Sequence, residues 1–418
     1  MLVKGNKKWM YLSLPFNVST GSISTLVTLQ ILDIGGNALT IGYVMSLSNA
    51  VLIFASIFWG MAADRFSRRK QILISFAGTS ISLILMQYSN DIIALASNYA
   101  FLTFISTASV TPMNMLIMET EDKKHWASAF SLYSFLSSIG VLISLLVSSV
   151  LVLFISIRRL FFILGLVALF TFIIGLKMVP EPQIPLERVA IIHNRESFLI
   201  RLKHLPLFFL HLPSKNSFKV FRLSRLTKKP INYVPLLYIG IIIFYISSGI
   251  FNTVYPAGLY VKGLSRSLVL LVISIGMIFQ IGAFYISGKL TEQKGEKRIA
   301  YLSLLLRGSS YSTMGLVAIM MSGNVLFIAL NSIFYPLAAG IAYSLYYTSS
   351  STMIFKIVGE RRQGTGLGVY STVVGASLFL GSLLSGYIVH SLGYGMDFII
   401  AGVLLLIDSY IFNSLEEG

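Results

Sequence analysis

The sharpest motif in this sequence is the charged stretch Gly60-Met61-Ala62-Ala63-Asp64-Arg65-Phe66-Ser67-Arg68-Arg69-Lys70, set between two long apolar runs. A lone carboxylate among four cations is suited to exchanging ion-pair partners. At a helix end it can also accept from free backbone N–H groups. Gly60 is expected to let its helix approach a neighbour closely. The plainer alternative is that the stretch is only a basic loop that sets topology. A degenerate copy runs from Gly288 to Arg298, with Glu292 replacing the aspartate and Gln293 the first arginine. Glu119 closes another apolar run, and Arg361 and Arg362 open a later one.

Arg307 lies nine residues into an apolar run, roughly 13 Å deep at about 1.5 Å per residue. An ionised side chain at that depth is functional by default. Pairing with Asp408, in the last apolar run, is favoured here over contact with a solute. Asp33 and Asp91, at the ends of their runs, read as solvated mouth charges. Tyr245, Ser248, Asn252 and Tyr255 recur at i, i+3, i+7 and i+10, on one helical face. Polar groups facing lipid are costly, so this face is expected to meet protein or a water-filled cavity. Interhelical hydrogen bonding is the competing explanation.

Several chemistries are excluded. There is no cysteine, hence no disulfide, thiolate metal site or cysteine nucleophile. The five histidines have no metal-ligand spacing, and no metal or cofactor is implied. No His/Asp/Glu cluster converges as a membrane enzyme would need. The glycine run Gly364-Thr365-Gly366-Leu367-Gly368 lacks the strand before it and the Lys-Ser/Thr after it that a phosphate loop requires, and reads as close helix packing. Asn17-Val18-Ser19 is a glycosylation sequon in form only, because it lies inside an apolar run.

The elements that carry these residues are membrane helices. The 418 residues are 55% hydrophobic and 11% charged, with mean hydropathy +0.80. A soluble domain of this length needs far more charge. At about 20 residues per span the length accommodates roughly twelve. Apolar runs fall at 9–34, 41–63, 71–89, 92–118, 127–152, 156–179, 233–260, 265–288, 298–321, 324–353, 364–390 and 395–413. The first is too long for a signal-peptide core and reads as a retained span. The net charge of +16 would suggest nucleic acid in a soluble protein. Here 27 of the 32 Lys/Arg fall on one side of the twelve-span arrangement, which places both termini in the cytoplasm and leaves no nucleic-acid role. Residues 181–232, with ten Lys/Arg against three Asp/Glu, separate a bundle over 1–180 from one over 233–418. That linker is either simply solvated or forms short helices on the anionic leaflet. The charged loops recur in both halves, and Pro112 and Pro336 occupy matching spans. The fold class is all-α membrane protein: twelve transmembrane helices in two pseudo-symmetric six-helix bundles.

On the Gly60–Lys70 stretch the chain resembles the major facilitator superfamily, whose loop between helices 2 and 3 reads Gly, three residues, Asp, Arg, one residue, Gly, Arg, Arg. Ser67 stands where the family prefers glycine. Glu360–Gly368, Arg158–Phe162 and Gly35–Gly42 are similar to further family segments. The resemblance implies a monomeric cell-membrane transporter that moves a small solute by alternating access. It also implies that Asp64 latches the halves near helix 11, with Arg65, Arg68 and Arg69 as partners, and that spans 1, 4, 7 and 10 line the path. Candidate lining residues are then Asn17, Ser24 and Thr28; Thr107, Thr111 and Asn114; the span 7 face; and Asn331, Tyr335, Tyr343 and Tyr347. No midplane carboxylate stands out in those spans, and span 5 lacks the family's antiporter pattern Gly-Pro-x-x-Gly-Gly. Uniport, symport and antiport therefore all remain open, as does a coupling proton or ion. A non-transporting receptor on the same scaffold is the alternative.

Overall fold

The computed structural model describes residues 7–120, 126–180, 233–321, 325–358 and 363–415. The linker 181–232 lies outside them. Twelve helical rods and no strand are found among the described residues. They are α1 (three pieces, Lys7–Leu12, Ser13–Thr20 and Ile23–Asp33), α2 (Ala38–Arg65), α3 (Arg68–Met86), α4 (Ile92–Ser106, Thr107–Ser109 and Val110–Thr120), α5 (Trp126–Leu151) and α6 (Ile157–Met178). The second set is α7 (Tyr233–Val261), α8 (Arg266–Lys294), α9 (Glu296–Met320), α10 (Val325–Tyr335, Pro336–Ala342 and Tyr343–Val358), α11 (Gln363–Leu392) and α12 (Tyr394–Asn413).

Nine of these described rods are long and apolar enough to cross a membrane. The other three have local reasons for falling short. α3 opens on Arg68, Arg69 and Lys70, α9 carries Arg307 and a charged first turn, and α1 is broken at Gly21. The break is satisfied from the neighbouring helix, as lipid demands. The Ser22 N–H donates to Ser144 Oγ at 3.0 Å, and Ser22 Oγ pairs with Ser148 Oγ at 2.8 Å. Tyr285, Val325, Ile93 and Phe154 stand outward and exposed, as side chains do whose solvent is hydrocarbon.

The turns between rods are short and capped by the chain itself. Asn37 accepts from Thr40 N at 3.0 Å, Asp91 from Ala94 N at 2.7 Å, and Ser265 from Leu268 N at 3.3 Å. Gly35 (φ 85°) and Gly263 (φ 102°) supply the left-handed residue two positions before the caps Asn37 and Ser265. That identical spacing after α1 and after α7 is the internal repeat in miniature.

The packing repeats as well. α1 lies on α5 and α7 on α11; α3 lies on α6 and α9 on α12. Across the halves, α2 meets α11 and α8 meets α5, the pairs that a pseudo-two-fold axis exchanges. Small residues permit the closest approaches. A Cβ added to Gly315 of α9 would stand 2.6 Å from the Gly395 carbonyl oxygen of α12. Gly315→Leu is therefore expected to destabilise the second bundle by about 1–3 kcal/mol through overpacking. It should lower the unfolding temperature in detergent, measured by scanning fluorimetry.

Candidate functional site

Call the side carrying the chain ends the termini face and the opposite side the far face. Contacts that join the halves cluster toward the far face. Asp33, the last residue of α1, accepts from Arg266 Nη2, the first residue of α8, at 2.5 Å. Ser149 Oγ of α5 donates to the Ser267 carbonyl of α8 at 3.0 Å and lies 3.2 Å from its Oγ. On the α2–α11 side the Tyr43 and Tyr387 hydroxyls lie 2.5 Å apart, and Asn49 Nδ2 donates to Ser382 Oγ at 2.9 Å. Between them the backbones touch: a Cβ on Gly42 would stand 2.9 Å from Gly386 Cα. The Asp33–Arg266 pair is partly exposed, so it contributes at most about 1 kcal/mol. Backbone packing carries the closure. Asp33 is thus an ion-pair member across the halves, not the solvated mouth charge expected from sequence.

Toward the termini face, Gly60 of α2 and Gly288 of α8 have nothing within 4 Å of a built Cβ. The expectation that Gly60 brings α2 close to a neighbour is corrected: here that position faces open space. Around it, Ser67 is the N-cap of α3 and accepts from Lys70 N at 3.4 Å, which gives the residue in the glycine position a job of its own. Arg69 Nη2 donates to the Leu176 carbonyl at the end of α6 at 2.6 Å, and Gln71 Nε2 to the Trp59 carbonyl at 2.9 Å. Arg68 is buried and Glu292 exposed. Asp64 and Arg65 close α2 and Glu119 lies in the last turn of α4, but their side chains lie outside the description. Arg361 and Arg362 lie outside the described residues.

The expected lining residues divide. In the first half, Ser24 is exposed, Thr111, Asn114 and Asn17 are half-buried, and Thr28 and Thr107 are buried. Thr28 donates to the Ser24 carbonyl and Thr107 to the Thr103 carbonyl, bonds within their own helix. Asn17 likewise donates to the Ser13 carbonyl. In the second half, Asn252 is exposed, but Ser248 is buried and donates to the Phe244 carbonyl. Tyr255 and Asn331 are corrections to the cavity reading. Both are essentially fully buried; the Tyr255 hydroxyl donates to Asn331 Oδ1 at 3.3 Å and its ring stacks on Tyr335 at 4.6 Å. This is interhelical packing inside one bundle.

The remaining tyrosines converge. Tyr245 of α7 lies 3.1 Å, hydroxyl to hydroxyl, from Tyr370 of α11, and its neighbour Phe244 stacks on Tyr343 of α10, whose ring centre is 5.9 Å from that of Tyr347. Tyr343 begins immediately after a π-helical turn, Pro336–Ala342, the irregular piece of α10. Tyr347 keeps 41% of its surface exposed, with Phe284 of α8 edge-on to its ring.

Against this cluster sits Arg307, 2% exposed. Its Nε and Nη2 both donate to the Tyr311 hydroxyl, at 3.0 and 2.7 Å. Its guanidinium carbon lies 4.7 Å from the Phe244 ring centre and 5.3 Å from that of Tyr343. The expected pair with Asp408 is not formed. Asp408 is fully buried, and neither of its oxygens has a hydrogen-bond partner. Phe244, over which Arg307 lies, stacks on Tyr346 with ring centres 3.7 Å apart. Sequence spacing showed that both charges were intramembrane but could not show the aromatic rings that hold one of them. Tyr370, Tyr346 and Tyr311 were missed because nothing local distinguishes them from core aromatics. Asp397, buried in the first turn of α12, was likewise passed over.

The family model for the Major Facilitator Superfamily matches residues 11–330 and, separately, 237–412. The chain belongs to that superfamily. Among solved structures the chain is similar to the nucleoside transporter NupG (14% identity, 98% of this chain and 99% of that one, TM-score 0.75). It is also similar to a POT family transporter in complex with 5-aminolevulinic acid (16%, 96% and 94%, TM-score 0.70). A third is a bacterial homolog of the human lysosomal transporter Spinster, inward-facing and occupied (16%, 97% and 95%, TM-score 0.71). No curated protein matches the sequence.

As a member of this superfamily the protein is a multi-pass transporter of small solutes, not an enzyme. The far-face closure is testable on the native background because the chain has no cysteine. Ser149→Cys with Ser267→Cys should form a disulfide under mild oxidation, since the two side chains already meet. Transport should stop on oxidation and resume on reduction, while the single variants remain active.

Proposed function

We propose that the protein is a plasma-membrane carrier whose far face is extracellular, and that this structure is its inward-facing state. The reading rests on one observation above others: the halves touch through Gly42–Gly386, Tyr43–Tyr387, Ser149–Ser267 and Asp33–Arg266 at one end, while Gly60 and Gly288 face open space at the other. Rocking the bundles about the midplane breaks this set and brings the termini-side loops together. The orientation is supported by charge. By the twelve-span arrangement read from sequence, 27 of 32 Lys/Arg fall on the termini side, ten of them within 181–232.

Asp64, at the end of α2, is the latch of the opposite state. Arg65, Arg68 and Arg69 beside it, Glu119, Glu292, and Arg361 with Arg362 leading into α11 supply exchangeable charges. Support comes from the local anchoring: Ser67 caps α3 and Arg69 fixes α3 to α6, so the loop is positioned before any partner arrives. The solute is a small organic molecule bound between Ser24, Thr111 and Asn114 on one side and Asn252, Tyr245, Tyr343, Tyr347 and Tyr370 on the other. Support for that size comes from a nucleoside transporter and from a POT family transporter in complex with 5-aminolevulinic acid, both of similar fold.

Two outcomes are expected. In intact cells an impermeant maleimide should label Asn37→Cys and leave Lys294→Cys unlabelled until the membrane is opened; the reverse pattern would invert the topology. In proteoliposomes Asp64→Asn should slow flux by roughly ten- to hundredfold, the value of about 1.5–3 kcal/mol for a charge-assisted bond, with the unfolding temperature retained. Wild-type flux would remove Asp64 from the cycle.

A further inference from the structure

We propose that Arg307 is the anion-recognition element of the solute site, so that the transported molecule carries a carboxylate or phosphate-type group beside a flat apolar body. The inference rests on the transporter reading above and deepens it.

The first ground is electrostatic. A guanidinium remains ionised at any working pH, so burial cannot neutralise it. Removing it from water costs several kcal/mol even after relaxation. What meets it is uncharged: the faces of Phe244, Tyr311 and Tyr343, with ring centres 4.7, 5.2 and 5.3 Å from the guanidinium carbon, and one hydroxyl that accepts twice. Ring faces offset part of that cost when desolvated. They leave the whole positive charge in place. Nη1 has no hydrogen-bond partner, and among the described residues no carboxylate pairs with Arg307. A buried cation that is solvated by rings yet not neutralised favours an anion strongly, and its planar fork fits a two-oxygen acceptor.

The second ground is position. Arg307 is the twelfth of the 25 residues of α9, near mid-membrane. One of its rings, Tyr343, is the first residue after the π-helical turn of α10. π-turns concentrate at functional sites because they are local departures that an ordinary helix would remove. Movement at that turn shifts the ring that lies over the cation. Beyond Tyr343 are the exposed Tyr347 and, edge-on to it, Phe284, together with the Tyr245–Tyr370 hydroxyl pair. The surface leading to Arg307 is therefore aromatic with phenol hydroxyls, suited to a ring or planar chain on the same molecule as the anion.

The test uses the full-length protein in nanodiscs and four probes built on one ring: benzoate, phenylphosphonate, benzamide and benzylamine. At least one of the two anions should raise the unfolding temperature at concentrations where benzamide and benzylamine do not. Arg307→Gln should weaken that response by roughly ten- to hundredfold, as loss of a charge-assisted contact does, and Arg307→Lys should weaken it less. Ligand-free unfolding temperature and monodisperse elution report whether the variants fold. If Arg307→Gln does not fold, the wild-type charge series decides alone. Anions that do no better than benzamide, or an Arg307→Gln variant that responds like wild type, overturn the proposal. An anion that binds by this pattern but is not moved across proteoliposomes keeps the proposal and sinks the carrier reading instead.

Discussion

Two membrane helices can press backbone to backbone only where neither carries a side chain at the crossing, and that constraint organises the joint between the halves. α2 and α11 cross at Gly42 and Gly386, where the added Cβ would come within 2.9 Å of the opposite Cα. Hydrocarbon gives apolar helices no reason to prefer each other over lipid, so closeness itself supplies the attraction. The polar contacts on either side, Tyr43–Tyr387 and Asn49–Ser382, then act over a backbone distance already fixed. The equivalent crossing of α5 and α8 is fastened by serines at Ser149 and Ser267. A joint made of dispersion contacts, a few neutral hydrogen bonds and one partly exposed ion pair holds without any single strong bond.

The same constraint explains why the helices are irregular where they are. α1 breaks at Gly21, where a Cβ would stand 2.6 Å from Val141 Cα of α5, and the N–H freed at Ser22 finds Ser144. α10 bulges at Pro336–Ala342, whose Gly340 packs on the Gly276 carbonyl of α8. Both irregularities sit against a partner helix, and at α1 that partner supplies the lost backbone bond.

Much of this was legible in the sequence. Hydropathy placed twelve rods to within a few residues, since lipid leaves the chain few alternatives to helix. The charged loops that recur in both halves and the matched Pro112 and Pro336 exposed the repeat. The site was less legible, for a physical reason. A tyrosine that lines a cleft and a tyrosine that fills a core have the same local sequence, and helical period gives only a face, not what the face meets. Tyr245 and Tyr255 share a face of α7, yet one pairs with Tyr370 of α11 and the other is sealed under Tyr335 of α10. The Arg307–Asp408 pairing failed similarly. Depth was readable, but the Phe244–Tyr346 stack over which Arg307 lies, and the absence of any hydrogen-bond partner on Asp408, were not.

The two halves share an architecture but not a chemistry, and that difference bears on how they divide the work. The buried polar groups of the first half are mostly hydroxyls bonded to one another or to backbone: Ser22 with Ser148, Ser48 with Thr103, Ser75 with the Ser106 carbonyl. These pairs are satisfied, and Thr79 Oγ1 and Ser137 Oγ, left without a partner in the same half, are neutral hydroxyls. The second half holds the stacked rings, the uncompensated Arg307 and two carboxylates without hydrogen-bond partners, Asp397 and Asp408. Unsatisfied charge is costly to keep and persists where a second state or a ligand relieves it. By this distribution the buried carboxyl groups and the ring-held Arg307 lie in α7–α12, so the anion recognition proposed above draws on the second half for its charge and on the first half only for neutral polar groups.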